Sequence, residues 1–218
     1  MIIISLGGSI VAGEEWNCQY LQSFRNFMDN NPEKKAIVVG GGKTARNYIN
    51  IGSKLGLDQY SLDTLGIEAT RLNARLLITK TTYPHIPRTI DEAVFATNTY
   101  KNVVMGGTEP GHTTDAVSLM LAERLGVEKV INMTSVGGIY EEDPKRNKNA
   151  KKIDRLSYED AERFFFERRM VAGLNIPFDL LSLKIAERSG IKIHIIGKDI
   201  ENLKAVIDGE HNVGTVIG

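Results

Sequence analysis

Short apolar runs alternate with longer segments of helical spacing along this chain. Residues 1–6, MIIISL, are apolar and stop at Gly7-Gly8-Ser9, which predicts a buried strand and a tight turn. Residues 16–28 place Trp16, Tyr20, Leu21, Phe24, Phe27 and Met28 at roughly helical spacing, and Asn30-Asn31-Pro32 ends the pattern. Residues 36–39 read as a second strand, followed by Gly40-Gly41-Gly42-Lys43 and a helix over 44–55. The longest helical pattern covers 57–79, with a break expected near Gly66. A short helix is expected over 90–96, a strand over 102–105, a helix over 114–125 and a strand over 129–133.

The pattern turns polar over 137–152, GGIYEEDPKRNKNAKK, and predicts a hairpin or a long loop. Beyond it come a helix over 157–168, capped by Ser157 with Asp160, and a helix over 179–189 ended by Gly190. A strand over 191–196, a helix over 200–208 and a short strand over 215–217 complete the chain. Strands and helices alternate throughout, which predicts an α/β class: an αβα sandwich with a largely parallel central sheet, in one domain.

Composition narrows the reading. Lys plus Arg and Asp plus Glu both number 27 among 218 residues, so neither a nucleic-acid surface nor an acidic tail is expected. Cys18 is the single cysteine, so no intrachain disulfide forms, which suits a reducing compartment. The apolar start lacks a basic leader and reads as a strand, and no apolar run approaches membrane-spanning length. A cytoplasmic protein without a membrane partner is the expectation.

Three strands end in glycine clusters that lead into helices: LGGS at 6–9, VGGGK at 39–43 and MGGTEPGHTT at 105–114. In an open parallel sheet these ends share one edge, where ligands bind. Glycine admits close approach, and a helix N-terminus favours negative charge. Any one cluster is an ordinary turn; three at equivalent positions point to an anion site, fit for a polyphosphate. Neither G-x-x-x-x-G-K-[ST] nor G-x-G-x-x-G occurs, so an ordinary P-loop and a dinucleotide fold are disfavoured.

The segments LGGSI, VVGGGKTARNYI, LDTLGIEATRLNARLL, MGGTEPGHTTDAV, TSVGGIYEEDPK and LKIAERSGIKIHIIGK run in order over nearly the whole chain. Together they resemble the amino-acid kinase superfamily and, within it, the archaeal type of uridylate (UMP) kinase. PGHTTDA looks like that family's nucleoside monophosphate loop. The resemblance implies the amino-acid kinase-like fold, with an acceptor part over roughly 1–126 and an ATP part over roughly 127–218. It implies γ-phosphoryl transfer from ATP to UMP, giving ADP and UDP in pyrimidine nucleotide synthesis, with Mg²⁺ entering on ATP. It also implies a homo-oligomer, a hexamer.

The same resemblance assigns residues. Gly41 and Asp63 would contact UMP, the carboxylate accepting from ribose hydroxyls. Thr108, Glu109, Pro110, Gly111, His112, Thr113 and Thr114 would wrap uracil and phosphate. His112 either pairs with phosphate or only shapes the turn. Gly8, Ser9, Gly42 and Arg46 would take the ATP phosphates, with Thr134, Tyr140 and Asp143 toward base and ribose. Arg46 falls one helical turn after Lys43. No protein-held metal site is expected.

Two departures stand out. Related kinases carry lysine two residues before the first glycine pair, where this chain has Ser5. The transition-state cation is therefore expected elsewhere: Lys184, in LSLKIAERSG, first, and Lys43 or Arg46 second. TSVGGIY has Gly138 where an acidic residue is common, leaving only backbone there. Asp115 is expected to organise the phosphate loop or simply to stabilise its helix. The competing readings are another small-molecule kinase, for isopentenyl phosphate or acetylglutamate, and a non-catalytic nucleotide or oxyanion binder. The aromatic helix over 16–28 offers a candidate dimer face.

Overall fold

The computed structural model describes residues 1–142, 144, 147, 149–169, 178–210 and 212–218. The first half holds β1 (Ile2–Leu6), α1 (Gly8–Val11), α2 (Cys18–Asn30), β2 (Lys35–Val39), α3 (Gly42–Lys54), α4 (Gln59–Arg75), α5 (Ile90–Thr99), β3 (Asn102–Met105) and α6 (Thr114–Leu125). The second half holds β4 (Lys129–Met133), β5 (Ile139–Tyr140), β6 (Lys152–Ile153), β7 (Arg155–Leu156), α7 (Tyr158–Arg169), α8 (Leu180–Ser189), β8 (Lys192–Ile196), α9 (Ile200–Ile207) and β9 (Thr215–Ile217).

The main sheet has the order β3-β2-β1-β4-β8-β9-β7. β1, β2, β3, β4 and β8 run parallel, β9 is antiparallel to β8, and β7 runs with β9. The chain steps outward from β1 to β3 and then crosses back to β4 on the other side of β1. That reversal opens a crevice at the carboxyl ends of β1 and β4. β5 and β6 pair antiparallel and close the polar segment into a hairpin.

Side-chain alternation along the strands builds two cores, one on each face of the sheet. Ile3, Val38, Met105, Val130 and Ile193 pack with α5, α6, α7 and α8. Ile4, Leu6, Ile37, Val104 and Ile131 pack with α1, α2, α4 and α9. The expected three-layer sandwich is therefore the observed one.

Two expectations need correction. α4 runs through Gly66 without a break. A Cβ there would meet Ile49 Cδ1 at 3.2 Å, so the glycine lets α3 lie close against α4, and this contact outweighs its low helix propensity. α2 is no free dimer face either: Leu21, Phe24, Phe27 and Met28 are buried in the core beneath it. Only Trp16, ahead of the helix that Asn17 caps, stays exposed. Exposed apolar side chains on and beside α3 and α4 include Tyr48, Ile51, Leu55, Tyr60 and Leu72; others, such as Phe95 on α5, lie elsewhere.

Candidate active site

The three glycine turns meet at the carboxyl edge of the sheet. Gly7 N–H donates to the Met133 carbonyl and Gly40 N–H to the Leu6 carbonyl, each at 2.9 Å, so the turns after β1 and β2 continue the strand pairing. Glycine is required where they touch. A Cβ on Gly8 would lie 2.0 Å from Gly42 N, and one on Gly42 2.2 Å from the Gly8 carbonyl oxygen. Gly42 also has φ of +57°. The α1 and α3 N-termini are thus held side by side, with the amides of Gly8, Ser9, Gly41 and Gly42 unpartnered among the described residues.

The third turn leads into α6. Thr113 caps that helix by accepting from Ala116 N–H at 3.1 Å. Its hydroxyl donates to Asp179, which itself caps α8 by accepting from Ser182 N–H at 2.9 Å. One Thr–Asp contact therefore ties two helix N-termini together. Asp63 of α4 reaches the same loop, its Oδ2 accepting from Gly111 N–H at 2.8 Å.

Together these parts enclose a cavity of about 390 Å³, a size suited to a small ligand. Gly41, Asp63, Gly111, His112, Thr113 and Thr114 line it, gathered from three separate stretches of sequence. Arg46 and Gly42, expected near ATP, line the same cavity. Thr108, Glu109 and Pro110 form the approach of the loop outside it; the Glu109 carbonyl accepts from His112 N–H at 3.3 Å.

Asp115, in the first turn of α6, points inward at the sheet. Ser5 Oγ donates to its Oδ1 at 2.7 Å and Asn132 Nδ2 at 3.3 Å. Burial pushes this carboxyl up to about 6, the Asp179 charge adds to the rise, and the bonds from Ser5 and Asn132 oppose it. Sequence reading noted Ser5 only as a missing lysine. Its alternation signal was present: Ser5 shares a face with Ile3, so a hydroxyl there has to find a partner.

On the expected ATP side, Ser9 lines a hollow of about 580 Å³ with Ser135 and Lys198. Thr134 N–H donates to the Ile196 carbonyl at 2.8 Å, and its hydroxyl accepts from Gly137 N–H at 3.1 Å. Tyr140 is half-buried on β5, and Asp143 lies outside the described residues. Lys43 forms an ion pair with Glu14. Lys184 sits on the flank of α8 facing α7, paired with Glu162 at 2.6 Å and Glu187 at 2.8 Å, and these bonds raise its pKa. The structure does not bring Lys184 to the glycine turns.

Three residues of α4 escaped sequence reading. Thr70 Oγ1 accepts from Gly107 N–H at 2.7 Å. Arg71 donates to the carbonyls of Gly107 and Thr108, each at 3.1 Å. Asn73, almost wholly buried, donates to the carbonyls of Gly40 and Gly41. Polar side chains at Thr70 and Asn73, in helical phase with Ile67 and Ala74, were the available signal.

The model of the amino acid kinase family matches residues 1–197. A uridylate kinase of Thermoplasma volcanium is 44% identical over 219 residues, covering 99% of this chain and 96% of its own. One from Pyrococcus abyssi is 41% identical, covering 99% and 98%. The crystal structure of uridylate kinase from Archaeoglobus fulgidus matches with a TM-score of 0.89 at 39% identity, covering 100% of both chains. A UMP kinase from Bacillus anthracis, 22% identical with a TM-score of 0.78 over 100% of this chain and 95% of its own, shares the fold.

Proposed function

The chain belongs to the amino acid kinase family, and from that premise we propose that it is a uridylate kinase, moving the γ-phosphoryl group of ATP onto UMP. The observation that carries the acceptor assignment is the cavity in which Gly41, Asp63 and residues 111–114 converge. UMP lies there with its phosphate at the N-terminus of α6, against Thr113 and Thr114. ATP lies across the β1 and β4 ends, its phosphates over Gly8, Ser9 and Gly42. A UMP phosphate oxygen attacks the γ-phosphorus in line, and the bond to the β–γ bridging oxygen breaks to release ADP. Such a transfer needs positioning and positive field more than covalent help.

Arg46 faces the acceptor and pairs with its phosphate, a change from its expected donor role. Asp63 holds Gly111 with one oxygen and accepts ribose hydroxyls with the other. Asp115 orders the α6 N-terminus between the two substrates. Lys184 is the transition-state cation. To reach the phosphates it would have to leave Glu162 and Glu187, with which it pairs on the surface. Lys43 is second in line for that role.

Among the described residues no group of three His, Cys, Asp or Glu is placed to hold a metal. Mg²⁺ would enter with ATP, as phosphoryl transfer of this kind generally requires. When bound, the ion neutralises charge on the transferring group. A homo-oligomer, a hexamer, fits the apolar face of α3 and α4, which a second copy would cover. Among the described residues no helix is long and apolar enough to cross a membrane, and the proposed setting is cytoplasmic pyrimidine nucleotide synthesis.

An ADP-release assay with ATP, Mg²⁺ and UMP tests the proposal. A second reading is a nucleotide-binding protein without turnover, since Ser5 stands where the superfamily resemblance implies a lysine. Titration calorimetry that shows ATP binding, beside an assay that shows no ADP, would select it.

A further inference from the structure

Asn73 sits on α4 with 1% exposure and does not line the acceptor cavity. Its Nδ2 donates to the Gly40 carbonyl at 2.9 Å and to the Gly41 carbonyl at 3.0 Å. A side-chain amide nitrogen has two N–H donors, so both are committed. Each carbonyl belongs to a planar trans peptide, and no cis peptide occurs among the described residues. In such a unit the N–H points opposite to the C=O. Pulling two successive carbonyls toward Asn73 therefore turns the N–H groups of Gly41 and Gly42 away from it.

Those two amides have no partner among the described residues, and Gly41 and Gly42 both line the cavity. Their backbone has the matching shape. Gly41 is right-handed, with φ −80° and ψ −29°, and Gly42 is left-handed, with φ +57°. Successive residues of opposite hand make a concave nest of N–H groups that binds anions. The following amide, Lys43 N–H, is already spent on the Ala12 carbonyl at 2.7 Å, which leaves two donors.

We propose that Asn73 is a positioning residue for phosphoryl transfer, aiming the Gly41 and Gly42 amides at the phosphate between donor and acceptor. The inference rests on the uridylate kinase reading. Thr70 and Arg71 do the corresponding work on the other turn, so one face of α4 sets the distance between the two loops that hold the reactants. An arrangement fixed before substrate arrives needs no reorganisation in the transition state.

The test is steady-state kinetics of Asn73→Ala and Asn73→Ser, with melting midpoints and calorimetric titration of UMP on the same proteins. The expected result for alanine is a fall in kcat of about tenfold or more with a clear rise in KM for UMP, the scale of one lost oriented donor set. Serine, which keeps one donor, returns part of the loss. A purely structural role would lower the melting midpoint and the active fraction while leaving KM unchanged, and that outcome overturns the inference. Should the alanine variant not fold, serine decides by the same two parameters. If wild-type protein gives no ADP with UMP, the kinase reading fails by itself; UMP affinity unchanged in the variants would then overturn the role of Asn73, and weakened affinity would uphold it.

Discussion

Ser5 and Asn132 are register partners on β1 and β4, and both donate to Oδ1 of Asp115, at 2.7 Å and 3.3 Å. Two neutral donors thus surround a desolvated carboxyl. The pair holds the first turn of α6 down onto the sheet and keeps Asp115 ionisable near neutrality.

Ser5→Ala removes a bond that favours the carboxylate, so the Asp115 pKa rises further above about 6. With the ionised form active, the acid limb of kcat moves to higher pH. A rate–pH profile between pH 5 and 8 measures it, and coincident profiles for wild type and variant would count against the role of the pair.

Stability has the opposite sign to the usual carboxylate. Folding raises this pKa from 3.8 to about 6, so the folded state binds the proton more tightly. The contribution is complete below the unfolded value and is lost as pH rises through about 6. Relative to Asp115→Asn, wild type should therefore lose melting temperature between pH 4 and 7. A flat difference would mean that the carboxyl is not desolvated.

Arg46 lines the acceptor cavity, not the hollow beside Ser9. Arg46→Ala should raise KM for UMP by about tenfold, the scale of one charge-assisted bond, with a smaller change for ATP. The reverse ratio would return Arg46 to the donor.

Lys184→Ala should lower kcat on the order of a hundredfold, as removal of a transition-state charge does, with KM nearly unchanged. A kcat within a few-fold of wild type would leave Lys184 as a surface ion-pair residue and make Lys43 the next variant.

Phe24→Glu buries a charge in the core beneath α2 and should prevent folding at ordinary temperature. Leu55→Glu, at the exposed C-terminal cap of α3, should leave the melting midpoint nearly unchanged and shift elution on a sizing column toward a smaller species. An unshifted elution volume would remove α3 from the interface.

Apolar runs and glycine punctuation made the sandwich legible, because strand ends and caps are local events. Thr113, Ser157 and Asp179 cap their helices as their sequence positions suggest. Gly66 misled because its effect depends on the distance to Ile49, which local propensity does not contain. The aromatic spacing of α2 was read correctly, but spacing does not say whether an apolar face meets its own sheet or another copy. In the site, the loop at 111–114 and Asp63 were reached through resemblance. Asn73 and Arg71 were not, because their work is on backbone carbonyls distant in sequence.

The central claim is the reaction itself. Purified protein with ATP and Mg²⁺ is offered UMP, CMP, dUMP, acetylglutamate and isopentenyl phosphate in parallel, and ADP release is followed. The account predicts turnover mainly with UMP. Turnover with a different acceptor, or none with any of them, would contradict it.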